Sequence, residues 1–300
     1  MQNALVNVNG QILRPEEAKV GVFDRSYLYG DSLYEVVRTW EGKILFMQEH
    51  LERLEASASL ARMNLSQGRA EYQREIIRTL EAWQKLPGKK GLEAYCRLIV
   101  SRGEGKIGFG LSNLLTPTQF TIIVQPLELP SERQLKEGLS LAFCQRLRND
   151  ARALDPAMKS GNYLNSLLAF LESTSEGFED AILCNADGHV TEGTTYNVGY
   201  FNRGVLTTPP LDIGILAGIT RAKVIEVARQ LGIPVREVRF PKERMFEASE
   251  AFALSTTKDI FPVTLLDGRK IGTGRPGPLT LKIREAFQTF MKERVRHGHN

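Results

Sequence analysis

Four short stretches in the second half of this chain constrain it more than any bulk property: KSGNYLNSLLA (Lys159 to Ala169), TEG (Thr191 to Gly193), LAGITR (Leu216 to Arg221) and LSTTK (Leu254 to Lys258). In that order they offer a lysine amine able to form a Schiff base, a carboxylate able to pair with a pyridinium nitrogen, and two clusters of backbone amides and hydroxyls able to hold a phosphate. Those are the needs of a lysine that carries pyridoxal phosphate. One such fragment alone means little; four in this order point to a cofactor site.

With 300 residues, 42% of them hydrophobic and 25% charged, the chain is long enough for one large or two medium domains with buried cores, which excludes disorder and fibre. Basic and acidic residues, 39 and 35, are spread along the sequence, and a net charge of +4 so balanced argues against a nucleic-acid or membrane surface. Small molecules are the expected partners. Cys96, Cys144 and Cys184 are odd in number and far apart, each in an apolar stretch, so buried free thiols and a reducing cytoplasm are expected. The opening MQNALVNVNGQIL has neither a basic n-region nor a long apolar h-region, and no segment reaches the roughly 18 apolar residues of a membrane span. His297 and His299 lie in the polar tail, and His50 and His189 have no zinc-like ligand spacing around them, so no metal site is expected.

Asn9-Gly10 between two apolar runs predicts a hairpin over Val6 to Leu13, and a second turn falls at Glu41-Gly42-Lys43 before Ile44 to Phe46. Apolar residues at helical spacing predict helices over Gln48 to Met63 and through Ile76, Ile77, Leu80 and Trp83, the latter ending at Pro87-Gly88. Strands follow at Glu93 to Val100 and Gln119 to Val124, making a first domain of α+β type. The stretch Pro126 to Glu132, with two prolines between strand-like runs, marks a boundary that divides the chain into residues 1–128 and 129–300. Beyond it the pattern predicts a strand at Leu139 to Phe143, a helix at Asn162 to Ser173, and a hairpin of Ala181 to Cys184 with His189 to Thr191. A strand at Asn197 to Phe201, a helix from Ile219, strands at Val235 to Val238 and Ala251 to Leu254, and an amphipathic helix over Leu279 to Lys292 complete it.

Lys159 precedes Ser160-Gly161-Asn162, small residues that allow close approach, and then a helix whose apolar face packs inward; the amine is therefore expected at the edge of a core rather than in bulk solvent. Glu192 is expected just after a strand, either as a turn carboxylate or facing a pyridine ring. Gly218-Ile219-Thr220-Arg221 reads as a helix start, whose first free amides face outward toward an anion or merely finish a plain cap. Ser255-Thr256-Thr257 offers hydroxyls for phosphate or for a turn. His50 and Arg53 lie one turn apart on one helix face, where Arg53 could serve a phosphate or stay solvated. Tyr95 and Arg97 alternate in a strand and so share a face, a hydroxyl and a guanidinium suited to a carboxylate.

Taken with FDRSYLYGDSLYEVVR (Phe23 to Arg38), HLERL, AYCRL, GHVTEGTTYNV and STTKDIFPV (Ser255 to Val263), these runs resemble the class IV aminotransferases, pyridoxal-phosphate enzymes of fold type IV. That family includes branched-chain and D-amino acid aminotransferases and aminodeoxychorismate lyase. The resemblance implies a smaller N-terminal α+β domain and a larger barrel-like α/β domain, the cofactor between them, and a homodimer. It implies that Lys159 carries the cofactor, Arg53 grips its phosphate, Tyr163 bonds the ring hydroxyl, Glu192 pairs with the ring nitrogen and Leu216 packs on the ring. Ile219, Thr220 and Thr256 complete the phosphate cup, and Tyr29, Tyr34, Arg38, Tyr95, Arg97 and Thr257 face the substrate. Freed from the cofactor by an incoming amine, Lys159 would move the substrate's alpha proton, and a keto acid such as 2-oxoglutarate would complete a ping-pong cycle.

Within the family, Tyr95-Cys96-Arg97, GNYLNSLLA and LAGITR look like the branched-chain group and favour an L-amino acid, although Leu98 and Tyr34 to Val37 depart from it. Tyr34 to Val37 and Ser255 to Thr257 look more like the D-amino acid enzymes, for which Arg102 could supply the carboxylate-binding arginine. Ser101-Arg102-Gly103 hints at the lyases. The order of expectation is L-aminotransferase, D-aminotransferase, lyase, with a non-catalytic relative opposed by the presence of both Lys159 and Glu192.

Overall fold

In the computed structural model, which describes residues 3–297, Asn9 and Gly10 both take positive φ, 49° and 92°, the geometry of a tight primed turn. Met1, Gln2 and residues 298–300, His299 among them, lie outside the described residues. The turn joins β1 (Leu5–Val8) to β2 (Gln11–Leu13) with Val8 opposite Gln11. Then come α1 (Arg25–Tyr29), β3 (Ser32–Trp40), β4 (Lys43–Ile44), α2 (Met47–Leu60), α3 (Arg69–Gln84), β5 (Ala94–Ser101) and β6 (Gln119–Pro126). The six strands form an antiparallel sheet in the order β2-β1-β6-β5-β3-β4.

The strict alternation of β5 decides which side of this sheet is core. Ala94, Cys96, Leu98 and Val100 point into an apolar layer with Leu51, Leu54, Ile76, Leu80 and Trp83 of the two long helices. Each fully buried large side chain of that kind contributes on the order of 2 kcal/mol. Tyr95, Arg97 and Ile99 point the other way, opposite Arg38, Val36 and Tyr34 of β3. Glu35, between them on β3, therefore lies on the helix-covered side.

The second unit holds α4 (Glu132–Glu137), β7 (Leu139–Leu147), α5 (Leu164–Ser175), β8 (Asp180–Cys184), β9 (Val190–Gly193), β10 (Asn197–Asn202) and β11 (Val205–Thr208). It continues with α6 (Ile219–Gln230), β12 (Val235–Glu237), α7 (Glu243–Phe246), β13 (Glu250–Ser255), β14 (Asp259–Leu266), β15 (Arg269–Lys270) and all but the last turn of α8 (Pro278–His297). Eight strands run in the order β12-β11-β10-β13-β14-β7-β8-β9, with β15 on β14, and the sheet curls. Three of its pairs are parallel: β14–β7 joins segments distant in sequence, while β7–β8 and β11–β12 need crossovers, which α5 and α6 provide. Leu141, Ile182, Val198, Phe261 and Val263 anchor its core. The chain thus holds a smaller α+β unit and a larger unit built on a mixed sheet, the two-part architecture expected from the sequence.

By backbone contacts the two units comprise residues 3–128, 158–162 and 294–297, and residues 129–157 and 163–293. The short return to the first unit departs from a single cut after residue 128, and it includes Lys159. Backbone pairing is the reason: Tyr34 N donates to Lys159 O at 3.0 Å, Gly161 N to Ser32 O at 2.8 Å, and Leu33 bridges Ser160.

Several elements differ from expectation. Ser32–Trp40 is a nine-residue strand that hydrophobic alternation did not mark, and Glu192 stands inside β9 rather than after a strand, because Gly193 still pairs with Ile182 of β8. Cys96 is buried, but Cys144 and Cys184 are only half-buried; all three are free thiols, pushed up by burial to about 12, 11 and 11. Among the described residues no helix is long and apolar enough to cross a membrane.

Candidate active site

In the first unit, Lys159 Nζ donates to the Tyr34 hydroxyl at 2.8 Å and lies 4.2 Å from the centre of its ring. The Arg97 guanidinium sits 4.3 Å from the same ring centre, and its buried Nε has no hydrogen-bond partner. The lysine is half-buried and its backbone amide donates to Ser57 Oγ at 3.1 Å, so β3 and α2 together fix the lysine-bearing segment. Gly161 is required there, since a Cβ would overlap Ser32 Oγ. A half-buried guanidinium whose buried Nε is an unused donor, on the open face of the sheet, is suited to an anion.

Behind that face, Arg53 grips Glu35 through Nε to Oε1 and Nη2 to Oε2, both at 2.8 Å, and His50 Nδ1 lies 2.7 Å from Oε2. Burial alone would raise the Glu35 carboxyl, but the Arg53 charge and hydrogen bond, aided by His50, bring it down to about 2. Burial lowers His50, only partly offset by Glu35, which favours the neutral ring, with Nδ1 facing the Glu35 carboxylate. Arg53 is thus oriented by a carboxylate to which the sequence reading gave no role.

The other expected substrate residues of this unit divide. Tyr95 and its partner Arg38 share the open face with Arg97, and Arg38 is buried there, with Nε donating to Thr39 O at 3.2 Å and its guanidinium over Trp40. The Tyr29 hydroxyl accepts from Gly108 N at 2.9 Å, and its ring packs on Phe109. Arg102 donates to Asp31, Arg62 O and Ala61 O at 2.7, 2.9 and 2.9 Å.

The second unit centres on Glu192, only 5% exposed. Arg148 donates to its Oε1 through Nε at 3.0 Å and Nη2 at 2.8 Å; Asn197 Nδ2 and Leu216 N donate to its Oε2 at 3.1 Å each. Asn197 Nδ2 also reaches Leu216 O, which pins the loop before α6. The sequence reading missed Arg148 and Asn197: the run Gln145 to Arg152 is dense in charge and looks solvated. Tyr163 precedes α5, and burial pushes its hydroxyl well up, with the Glu192 charge adding to the effect.

α6 starts at Gly218 with no side-chain cap, leaving its first amides to an external acceptor, and a Cβ on Gly218 would overlap the Asn197 amide oxygen. Ile219 and Thr220 are buried at that start. Thr256 and Thr257 lie half-buried in the turn after β13, where Ser255 Oγ accepts from Lys258 N at 3.2 Å. Glu192, Leu216, Ile219 and Thr220 are therefore brought together through Asn197.

Residues 32–266 match the model of the family described as amino-transferase class IV. The chain is 34% identical over 283 residues to a putative branched-chain-amino-acid aminotransferase of Methanocaldococcus jannaschii, covering 94% of this chain and 95% of that one. It is also 34% identical over 280 residues to a D-alanine aminotransferase of Bacillus licheniformis, covering 93% and 94%. Among solved structures, the T.th. branched-chain amino acid aminotransferase, complexed with N-(5'-phosphopyridoxyl)-L-glutamate, superposes with a TM-score of 0.88 at 28% identity over 97% of this chain and 94% of that one. On these matches the protein is an aminotransferase and belongs to the class IV aminotransferase family.

Proposed function

We propose that the chain binds pyridoxal 5'-phosphate on Lys159 and moves an amino group from an apolar L-amino acid, of branched-chain type, to 2-oxoglutarate in a ping-pong cycle. The donor set fits the cofactor. The chain offers a half-buried amine on Lys159, a buried carboxylate on Glu192, a glycine-led helix start at Gly218 and the threonine hydroxyls of Thr220 and Thr256. When bound, the cofactor supplies an electron sink that acidifies the substrate's alpha C–H and carries the amino group between the two acids.

The protein's own groups then have separate tasks. The Lys159 amine links to the cofactor and, once displaced, takes the alpha proton. Glu192, held charged and immobile by Arg148, Asn197 and Leu216 N, pairs with the ring nitrogen, and Leu216 packs on the ring. Tyr163 bonds the ring hydroxyl. Ile219, Thr220 and Thr256 receive the phosphate with Arg53, whose orientation Glu35 fixes. Tyr95 and Arg97 take a substrate carboxylate, with Thr257 beside it. A homodimer in the cytoplasm is part of the same reading.

The observation that carries this reading is the unpartnered, buried Arg97 Nε beside the ring that Lys159 also touches. Arg102, the arginine a D-specific enzyme would need, is committed to Asp31 and two carbonyls, which favours the L-substrate. The Bacillus licheniformis likeness keeps the D-aminotransferase as the second reading. The test is the visible spectrum of cofactor-loaded protein during separate additions of L-leucine and D-alanine without keto acid. Bleaching by L-leucine alone supports the proposal; bleaching by D-alanine alone moves the protein to the second reading. Silence with both, with pyruvate released from aminodeoxychorismate, identifies a lyase.

A further inference from the structure

Resting on that reading, we propose that Tyr34 is a catalytic residue of this chain, whose hydroxyl holds the Lys159 amine while that amine carries the substrate's proton. The sequence suggested only a substrate contact for Tyr34. The structure supplies three further observations. The first is the side-chain bond, Lys159 Nζ to Tyr34 Oη at 2.8 Å. The second is the backbone: Tyr34 N donates to Lys159 O at 3.0 Å, so the two residues sit side by side on paired segments and their separation does not depend on flexible side chains alone. The third is Arg97, 4.3 Å from the centre of a ring that is only 4% exposed.

Two cations on one aromatic ring have a consequence. Each is attracted by the ring's electron-rich face, and together they fix its plane. A guanidinium so close also draws charge from the ring and makes the hydroxyl a stronger hydrogen-bond donor. When the amine is neutral, the hydroxyl can donate to its lone pair; when the amine has taken the proton from the alpha carbon, the hydroxyl accepts one N–H and the charge is spread between two groups. The hydroxyl keeps its own proton throughout. One proton leaves the alpha carbon, rests on Nζ and passes from Nζ to the cofactor, so none is gained or lost by Tyr34.

Tyr34→Phe tests this, because phenylalanine keeps the ring, both stacked cations and the backbone pairing. Two readouts are needed. In apo-protein at pH 7, the rate of pyridoxal-phosphate capture is followed by the visible band, and attachment at Lys159 is verified by borohydride reduction and peptide mass. Loss of the anchoring hydroxyl is expected to speed capture at least threefold. In loaded protein, the single half-reaction with L-leucine is expected to slow at least tenfold, with KM changed less than threefold and a larger isotope effect from alpha-deuterated L-leucine. Opposite signs in the two readouts are not what a pocket wall would give. Capture and half-reaction both within twofold of the parent protein, at unchanged melting temperature, would overturn the proposal and leave the cofactor assignment intact. Failure of the parent protein itself to take the cofactor at Lys159 would overturn both.

Discussion

Glu35 and Glu192 are both buried carboxylates held by an arginine, one in each unit, yet they are built for different purposes. Glu35, with 2% of its side chain exposed, is bonded by side chains alone: Arg53 spans both oxygens and His50 closes one of them. Glu192 takes Arg148 on one oxygen, while the other oxygen meets the softer donors Asn197 and the Leu216 amide. Glu35 ties a helix to a strand. Glu192 ties together a strand, a loop and the start of α6, the elements on which the proposed cofactor site rests. Burial and an arginine partner therefore do not by themselves mark a functional carboxylate; the elements that its remaining donors belong to are the better sign.

The comparison breaks most sharply under isosteric substitution. Glu192→Gln removes the charge offered to the cofactor and is expected to lower the half-reaction rate on the order of 100-fold, the scale of losing one preorganised electrostatic partner. Arg148 is 16% exposed and can turn toward water, so denaturant midpoints should move much less than for Glu35. Glu35→Gln leaves Arg53 charged and 11% exposed beside a neutral amide. A loss of about 3 kcal/mol in urea unfolding is expected, with cofactor affinity reduced through the misoriented arginine. If the two substitutions gave the same ratio of rate loss to stability loss, the distinction between the carboxylates would be wrong.

Acid sharpens it further, with a smaller effect. Glu35 and His50 both have folded values below their ordinary ones, so each contributes stability above its unfolded value and loses it as pH falls. The loss from His50 begins as pH falls below about 6.5, and that from Glu35 runs from about 4.5 down to about 2. Thermal melts should show declining stability over that window, and Glu35→Gln should flatten the lower part of it. A melting temperature that rises on acidification would reverse the sign and contradict the pairing.

How much of this could be read from the sequence depended on whether the signal was local. The helices α2 and α3 and the strand β5 followed from periodicity, because their buried faces are apolar and regular. β3 was hidden: buried on both faces, it carries Tyr34, Glu35 and Arg38 where alternation would place apolar residues, and the burial of Tyr34 and Glu35 is stabilised by partners distant in sequence. β14 contains Pro262, which argues against an inner strand, but β7 joins only from Val263 onward, so at Pro262 the strand is flanked by β13 alone. The shared face of Tyr95 and Arg97 was legible in their alternation, and β5 bears it out. Arg148, Asn197 and the Glu35 pair were not, since each acts through a contact that no spacing encodes.

The most direct test of the central claim is to reduce the cofactor-loaded protein with borohydride and identify the labelled peptide by mass. The account predicts one phosphopyridoxyl group per chain on Lys159, and neither the label nor a visible band in Lys159→Ala. A label on another lysine, or a visible band that survives in Lys159→Ala, would contradict it.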